Sequence, residues 1–128
     1  MMHILLISRK KDVFKTLESV FTENKMSVEW KGTAQEAVAL ISEKTVDLVI
    51  THETLPDMAG KKLVETIIFK NPMIHCVVLS PLSHDQFHEA FEGLGVLMQF
   101  PLEPDKKCAL ELLDHMNRIA RISGRTSA

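Results

Sequence analysis

The sequence has no tyrosine and only one tryptophan; with six phenylalanines, aromatic residues make up 5% of the chain. Its core must therefore rest on Ile, Leu, Val, Met and Ala. There are two cysteines, Cys76 and Cys108, with no C-x-x-C spacing. That excludes a disulfide framework and a zinc module, and points to reduced thiols in a cytoplasmic protein. No apolar run approaches the length of a membrane span. The run ending at Ile7 is too short for the apolar core of a signal peptide and lacks a small-residue cleavage site. Charge of one sign is also missing: 15 basic residues face 17 acidic ones, for a formal −2. A chain so balanced has no global attraction to nucleic acid or membrane, so any charged site must be local. G-x-G-x-x-G occurs nowhere, which removes the dinucleotide loop.

What remains suits one folded domain: 128 residues, 45% hydrophobic and 25% charged. Short β-branched runs alternate five times with longer helical segments, the pattern of βα units winding a parallel sheet. Strands are expected at His3–Ser8, Ser27–Lys31, Val46–Thr51, Ile74–Ser80 and Val96–Phe100. The second is polar and reads as an edge; the fourth is the most continuous apolar run and reads as central. Helices are expected at Asp12–Asn24, from Gly32-Thr33 with a Thr33/Glu36 capping box, after a His52–Gly60 loop as far as Lys70 before the Asn71-Pro72 stop, from Ser83 or Asp85 to Phe91, and from Glu103 to Ile122. The fold class is thus α/β, a (βα)5 flavodoxin-like three-layer sandwich with strand order 2-1-3-4-5 and ligands at the carboxyl ends of strands one and three. The domain should occupy residues 1–122, with residues 123–128 as a flexible tail or the start of a linker.

Ile4-Leu5-Leu6-Ile7, Asp47-Leu48-Val49-Ile50, Leu55-Pro56-Asp57-Met58-Ala59-Gly60, Val77-Val78-Leu79-Ser80 and Phe100-Pro101-Leu102 follow one another in register. Together they resemble the landmark segments of response-regulator receiver domains. The resemblance implies a two-component phosphorelay module, not an enzyme, in which Mg²⁺ sits on an acidic pair after strand one. An Asp ending strand three accepts a phosphoryl group, a Ser or Thr ends strand four, and a Lys precedes the Pro after strand five. Carried over residue by residue, the acidic pair falls on Ser8 and Arg9, the phosphoacceptor on His52, the hydroxyl on Ser80 and the lysine on Phe100. A switch aromatic in strand five falls on Leu97. Only Ser80 keeps the pattern. Three carboxylates and a lysine, formally −2, give way to a single arginine, +1 with His52 neutral. A guanidinium repels a hard cation that wants carboxylate oxygens, and phosphoryl transfer rests almost wholly on positioning and charge neutralisation. A receiver fold that has lost aspartate phosphorylation and needs no metal or cofactor is therefore expected.

Other constellations read as follows. His52 lacks an acidic partner to orient it, so a structural histidine is expected rather than a phosphohistidine. Arg9 is placed to pair with Glu53 or Asp57 across the pocket mouth. His84 and His88 share a helix face at i, i+4, but with Asp85 and no third ligand they read as a solvated face. Cys76 reads as core, and Cys108 shows no mark of reactivity.

With a silent pocket, function moves to a surface. The resemblance implies helix 4, strand 5 and helix 5 as the face for a protein partner or self-association. There the chain offers His84, Phe87, His88, Phe91, Leu97, Lys106, Glu111 and Arg118, with Phe87 or Phe91 exposed as an anchor. The preferred reading is a phosphorylation-independent interaction module of bacterial signalling, fused to an output or kinase domain in a longer protein. The runner-up is an anion or nucleotide sensor built from Arg9, Lys10 and Ser80. An atypical phosphoreceiver would need Glu53 or Asp57 as acceptor.

Overall fold

A computed structural model describes residues 2–122; the expected tail lies outside the described residues. Five strands alternate with five α-helices: β1 (His3–Ile7), α1 (Lys15–Glu23), β2 (Ser27–Lys31), α2 (Ala34–Glu43), β3 (Leu48–His52), α3 (Gly60–Lys70), β4 (His75–Leu79), α4 (His84–Ala90), β5 (Met98–Phe100) and α5 (Lys106–Ile122). All strand pairs are parallel and the order is β2-β1-β3-β4-β5, as the alternation predicts. Polar β2 lies at an edge. β4 is an inner strand, but the middle position belongs to β3.

The two-residue period of a strand sorts the apolar residues into two layers. Leu5, Ile7, Val49, Cys76 and Val78 face one way, onto Ala37, Leu40, Leu63, Ile67 and Phe87. Ile4, Leu6, Leu48, Ile50, Val77 and Leu79 face the other, onto Phe14, Leu17, Phe21, Leu112 and Met116. Each Val, Leu, Ile, Phe or Met side chain among them, fully buried, stabilises the fold by about 1.5–3 kcal/mol. Aliphatic residues dominate both layers, which is how the chain manages without tyrosine.

Several ends differ from expectation for local reasons. The Asp12–Asn24 helix opens as a 3-10 turn, Lys11–Phe14, before α1 proper. It closes on Lys25, which takes a left-handed φ of 61° while Met26 N–H bonds the Phe21 carbonyl at 3.0 Å. α5 starts at Lys106 rather than Glu103, because the Asp105 carboxylate accepts the Cys108 N–H at 3.0 Å and caps the helix there. At the start of α2, Thr33 Oγ1 accepts the Glu36 N–H at 3.2 Å. The reciprocal half of the expected capping box is replaced by a Thr33 hydroxyl to Glu36 carboxylate bond of 3.0 Å. A complete box forms instead at α4, where Ser83 and Gln86 exchange side chain and backbone bonds, each of 3.2 Å. No helix among the described residues is long and apolar enough to cross a membrane.

Candidate functional site

At the carboxyl ends of β1 and β3 the chain leaves the sheet in opposite directions, which opens a crevice between their loops. Ser8 forms its floor and is buried. Its carbonyl accepts Trp30 Nε1–H at 3.0 Å and its hydroxyl accepts the Lys10 N–H at 3.2 Å. This tight turn sends Arg9 and Lys10 outward, both exposed. His52 closes β3 half-buried, and its Nδ1 accepts the Thr54 N–H at 2.9 Å. That bond needs the lone pair on Nδ1, so the ring proton sits on Nε2. The resulting cleft of about 570 Å³ is walled by Val13, Leu55, Pro56 and Leu102 and rimmed by Arg9, Lys10, Asp12 and Glu103.

The loop after β3 is tied at every corner. Glu53 N–H bonds the Leu79 carbonyl at 2.9 Å, and the Glu53 carbonyl accepts Gly60 N–H at 2.7 Å. Gly60 approaches so closely that a Cβ there would run into the His52 carbonyl oxygen and lie 2.8 Å from Glu53 Cα. The Glu53 carboxylate accepts the Ser80 hydroxyl at 2.5 Å, a charge-assisted bond. Ser80 Oγ in turn accepts Leu82 N–H at 3.1 Å. Gln99 Nε2 holds the same stretch through the carbonyls of Ser80, at 3.3 Å, and Leu82, at 2.7 Å. Further along the loop, the two Asp57 carboxylate oxygens accept Ala34 N–H and Gln35 N–H, each at 2.9 Å. Those two bonds at the α2 N-terminus hold the Asp57 carboxyl below its ordinary value of 3.8.

Two expectations fail here. Arg9 pairs with neither Glu53 nor Asp57: it takes part in none of the salt bridges among the described residues, and both carboxylates are engaged elsewhere. Ser80 does not join Arg9 and Lys10 in an anion site, because it lies outside the cleft lining with its hydroxyl given to Glu53.

The profile of the response regulator receiver domain matches residues 4–99. The chain belongs to this family. Among solved structures, this receiver domain is similar to the signal receiver domain of an HD domain-containing protein from Pseudomonas fluorescens Pf-5, with 20% identity over 98% of this chain and 93% of that one, TM-score 0.81. It is also similar to the non-phosphorylated HemR receiver domain from Leptospira biflexa, with 28% identity over 93% and 94% of the two chains, TM-score 0.74. The chemotaxis response regulator CheY4 of Vibrio cholerae shares its fold at 15% identity over 89% and 97%, TM-score 0.79. No curated protein matches in sequence.

The two positions after β1 in this receiver supply a hydroxyl and a guanidinium, a donor set that does not fit Mg²⁺. The cleft carboxylates Asp12 and Glu103 come from the 3-10 turn before α1 and the loop before α5, and no group of three or more His, Cys, Asp or Glu able to hold a metal occurs among the described residues. At the lysine position, Phe100 is 2% exposed and packs in the core beneath the strand end, with its carbonyl accepting Ser80 N–H at 2.9 Å. Leu97 lies just before β5, half-buried, with its N–H on the Cys76 carbonyl at 2.8 Å.

On the α4–β5–α5 face, His84, His88, Lys106, Glu111 and Arg118 are exposed. The expectation of an exposed phenylalanine anchor is overturned. Phe87 and Phe91 are each 7% exposed and stack on one another with ring centres 4.5 Å apart, because Phe87 and the C-cap residue Phe91 both fall on the buried side of this short helix. The α5 charges pair within the helix, Lys107 with Glu111 at 4.0 Å and Arg118 with Asp114 at 3.2 Å. His84 and His88 rings stack at 6.3 Å. Burial pushes the Cys76 thiol up to about 12 and raises that of Cys108, which favours the protonated thiol at both.

Sequence reasoning missed Glu53 as the partner of Ser80, Asp57 as the cap of α2 and Gln99 as the strut of the next loop. A carboxylate directly after a strand end and another four residues on were visible signals, but which donor each would meet depends on how three loops fold together.

Proposed function

We propose that this receiver domain is a phosphorylation-independent module that acts through protein contacts in the cytoplasm of a bacterium, within a longer regulator or kinase. The observation that carries the reading is the Ser80–Glu53 bond of 2.5 Å. A receiver that signals by phosphorylation needs its strand-four hydroxyl free to meet the incoming phosphoryl group. Here a carboxylate from the chain itself already holds that hydroxyl, and Gln99 braces the loop behind it. Three further features support it. His52 spends Nδ1 on Thr54 and carries a proton on Nε2, so neither nitrogen offers a free lone pair. Phe100 offers no cation to neutralise developing charge. Glu53 and Asp57, the substitute acceptors, are committed to Ser80 and to the α2 N-terminus.

The output surface of this reading is the α4–β5–α5 face, where His84, His88, Lys106, Glu111 and Arg118 are exposed, with Phe87 and Phe91 stacked in the core layer beneath α4 and Leu97 packed into the opposite layer beside α5. Incubation with acetyl phosphate and Mg²⁺ followed by intact mass measurement tests the proposal. The expected result is one unmodified species; a phosphoryl adduct overturns the reading.

A further inference from the structure

The cleft at the ends of β1 and β3 has a chemistry of its own, separate from phosphoryl transfer. Its volume of about 570 Å³ lies within the usual range for small-molecule sites. Val13, Leu55, Pro56 and Leu102 give it an apolar wall. Arg9 and Lys10 stand at its rim, in no salt bridge among the described residues, and His52 lines it with its ring proton on Nε2. We infer that this cleft binds a singly charged organic acid with an apolar body.

The apolar wall asks for a hydrocarbon or aromatic body, since a hydrated inorganic anion leaves it uncovered. Arg9 and Lys10 ask for an anion, and a guanidinium beside a carboxylate forms a charge-assisted bond stronger than a neutral one. Asp12 and Glu103 set the upper limit on charge. They stand on the same rim, so the four rim groups sum to no net charge, and the further charges of a ligand such as a nucleoside triphosphate find no cation left to pair with beside two carboxylates. That separates the proposal from a nucleotide site. The floor carries a built-in reporter: the sole tryptophan, Trp30, bonds the Ser8 carbonyl at 3.0 Å, and Lys11 Nζ sits 5.9 Å from its ring centre.

The test is titration of the whole chain with phenylpropionate, read by amide proton–nitrogen spectra and the Trp30 indole signal. Phenylpropanol serves as the body without the charge, acetate as the charge without the body, and ATP as the multiply charged anion. Saturable shifts should centre on Ser8, Arg9, Thr54 and the Trp30 indole, with each control at least about tenfold weaker. The double variant Arg9→Ala/Lys10→Ala, at two exposed positions, should weaken phenylpropionate about tenfold, while Lys61→Ala/Lys62→Ala on α3, with the same charge change, leaves it unaltered. No shift at about 10 mM phenylpropionate overturns the inference. So does phenylpropanol or ATP binding as tightly as the acid, or an Arg9→Ala/Lys10→Ala variant that binds like the native chain. None of these readouts measures phosphoryl transfer, so the inference and the proposed function stand or fall separately.

Discussion

Lys25 ends α1 in a conformation that an L side chain adopts at a cost, with φ at 61°. Glycine takes that position in many helices because it has no Cβ to crowd the carbonyl. Lys25→Gly is therefore expected to raise stability by about 1 kcal/mol in a denaturant titration, while most substitutions elsewhere lower it. The Ser80–Glu53 bond makes the opposite prediction. Ser80→Ala leaves a half-buried carboxylate without its donor and should cost about 1–2 kcal/mol. In a double-mutant cycle Glu53→Gln/Ser80→Ala should cost less than the two single changes summed, as for groups in direct contact. Asp57 adds a pH dependence whose sign is fixed. Its carboxyl is held below 3.8 by the α2 N–H groups, so its contribution is present above that pH and fades as pH falls through the folded value. Thermal melts should show Asp57→Ala less stable than the native chain at neutral pH, with the two converging in acid below 3.8.

At the scale of elements, the loop between β3 and α3 is held by contact as much as by hydrogen bonds. Gly60 lies against the backbone of His52 and Glu53, and Gly60→Ala has no room for its methyl group. It should cost about 1–3 kcal/mol and speed amide exchange from Glu53 to Met58. Element identities were legible in the sequence because most strands are short, nearly continuous apolar runs and the longer segments between them carry an apolar stripe. Boundaries were less so. α5 begins three residues later than periodicity suggests because Asp105 wins the capping role, and the α1 region opens as a 3-10 turn. The phenylalanine pair on α4 shows the limit of spacing arguments. An i, i+4 pair fixes that two rings share a face but not whether that face meets solvent or core. Here the α4 face lies over β4 and the helix is held by that burial.

For the whole molecule, strand order was legible because five βα units of this size have few right-handed ways to wind, and the polar second strand marks an edge. The candidate site was legible by position and not by contact. Ser8, Arg9, His52 and Ser80 all stand at strand ends, yet the bonds that decide their chemistry link β3 to β4 and α2 to the β3–α3 loop. Residues so distant in sequence meet only once the sheet has formed. The result is a receiver scaffold whose three loops are braced by Glu53, Asp57 and Gln99. The proposal that this scaffold does not respond to a phosphoryl group is tested by beryllium fluoride with Mg²⁺, which mimics that group without a covalent transfer. Amide spectra recorded before and after its addition should superimpose through Glu53, Ser80 to Leu82 and the α4–β5–α5 face. Saturable shifts in those segments would contradict that proposal.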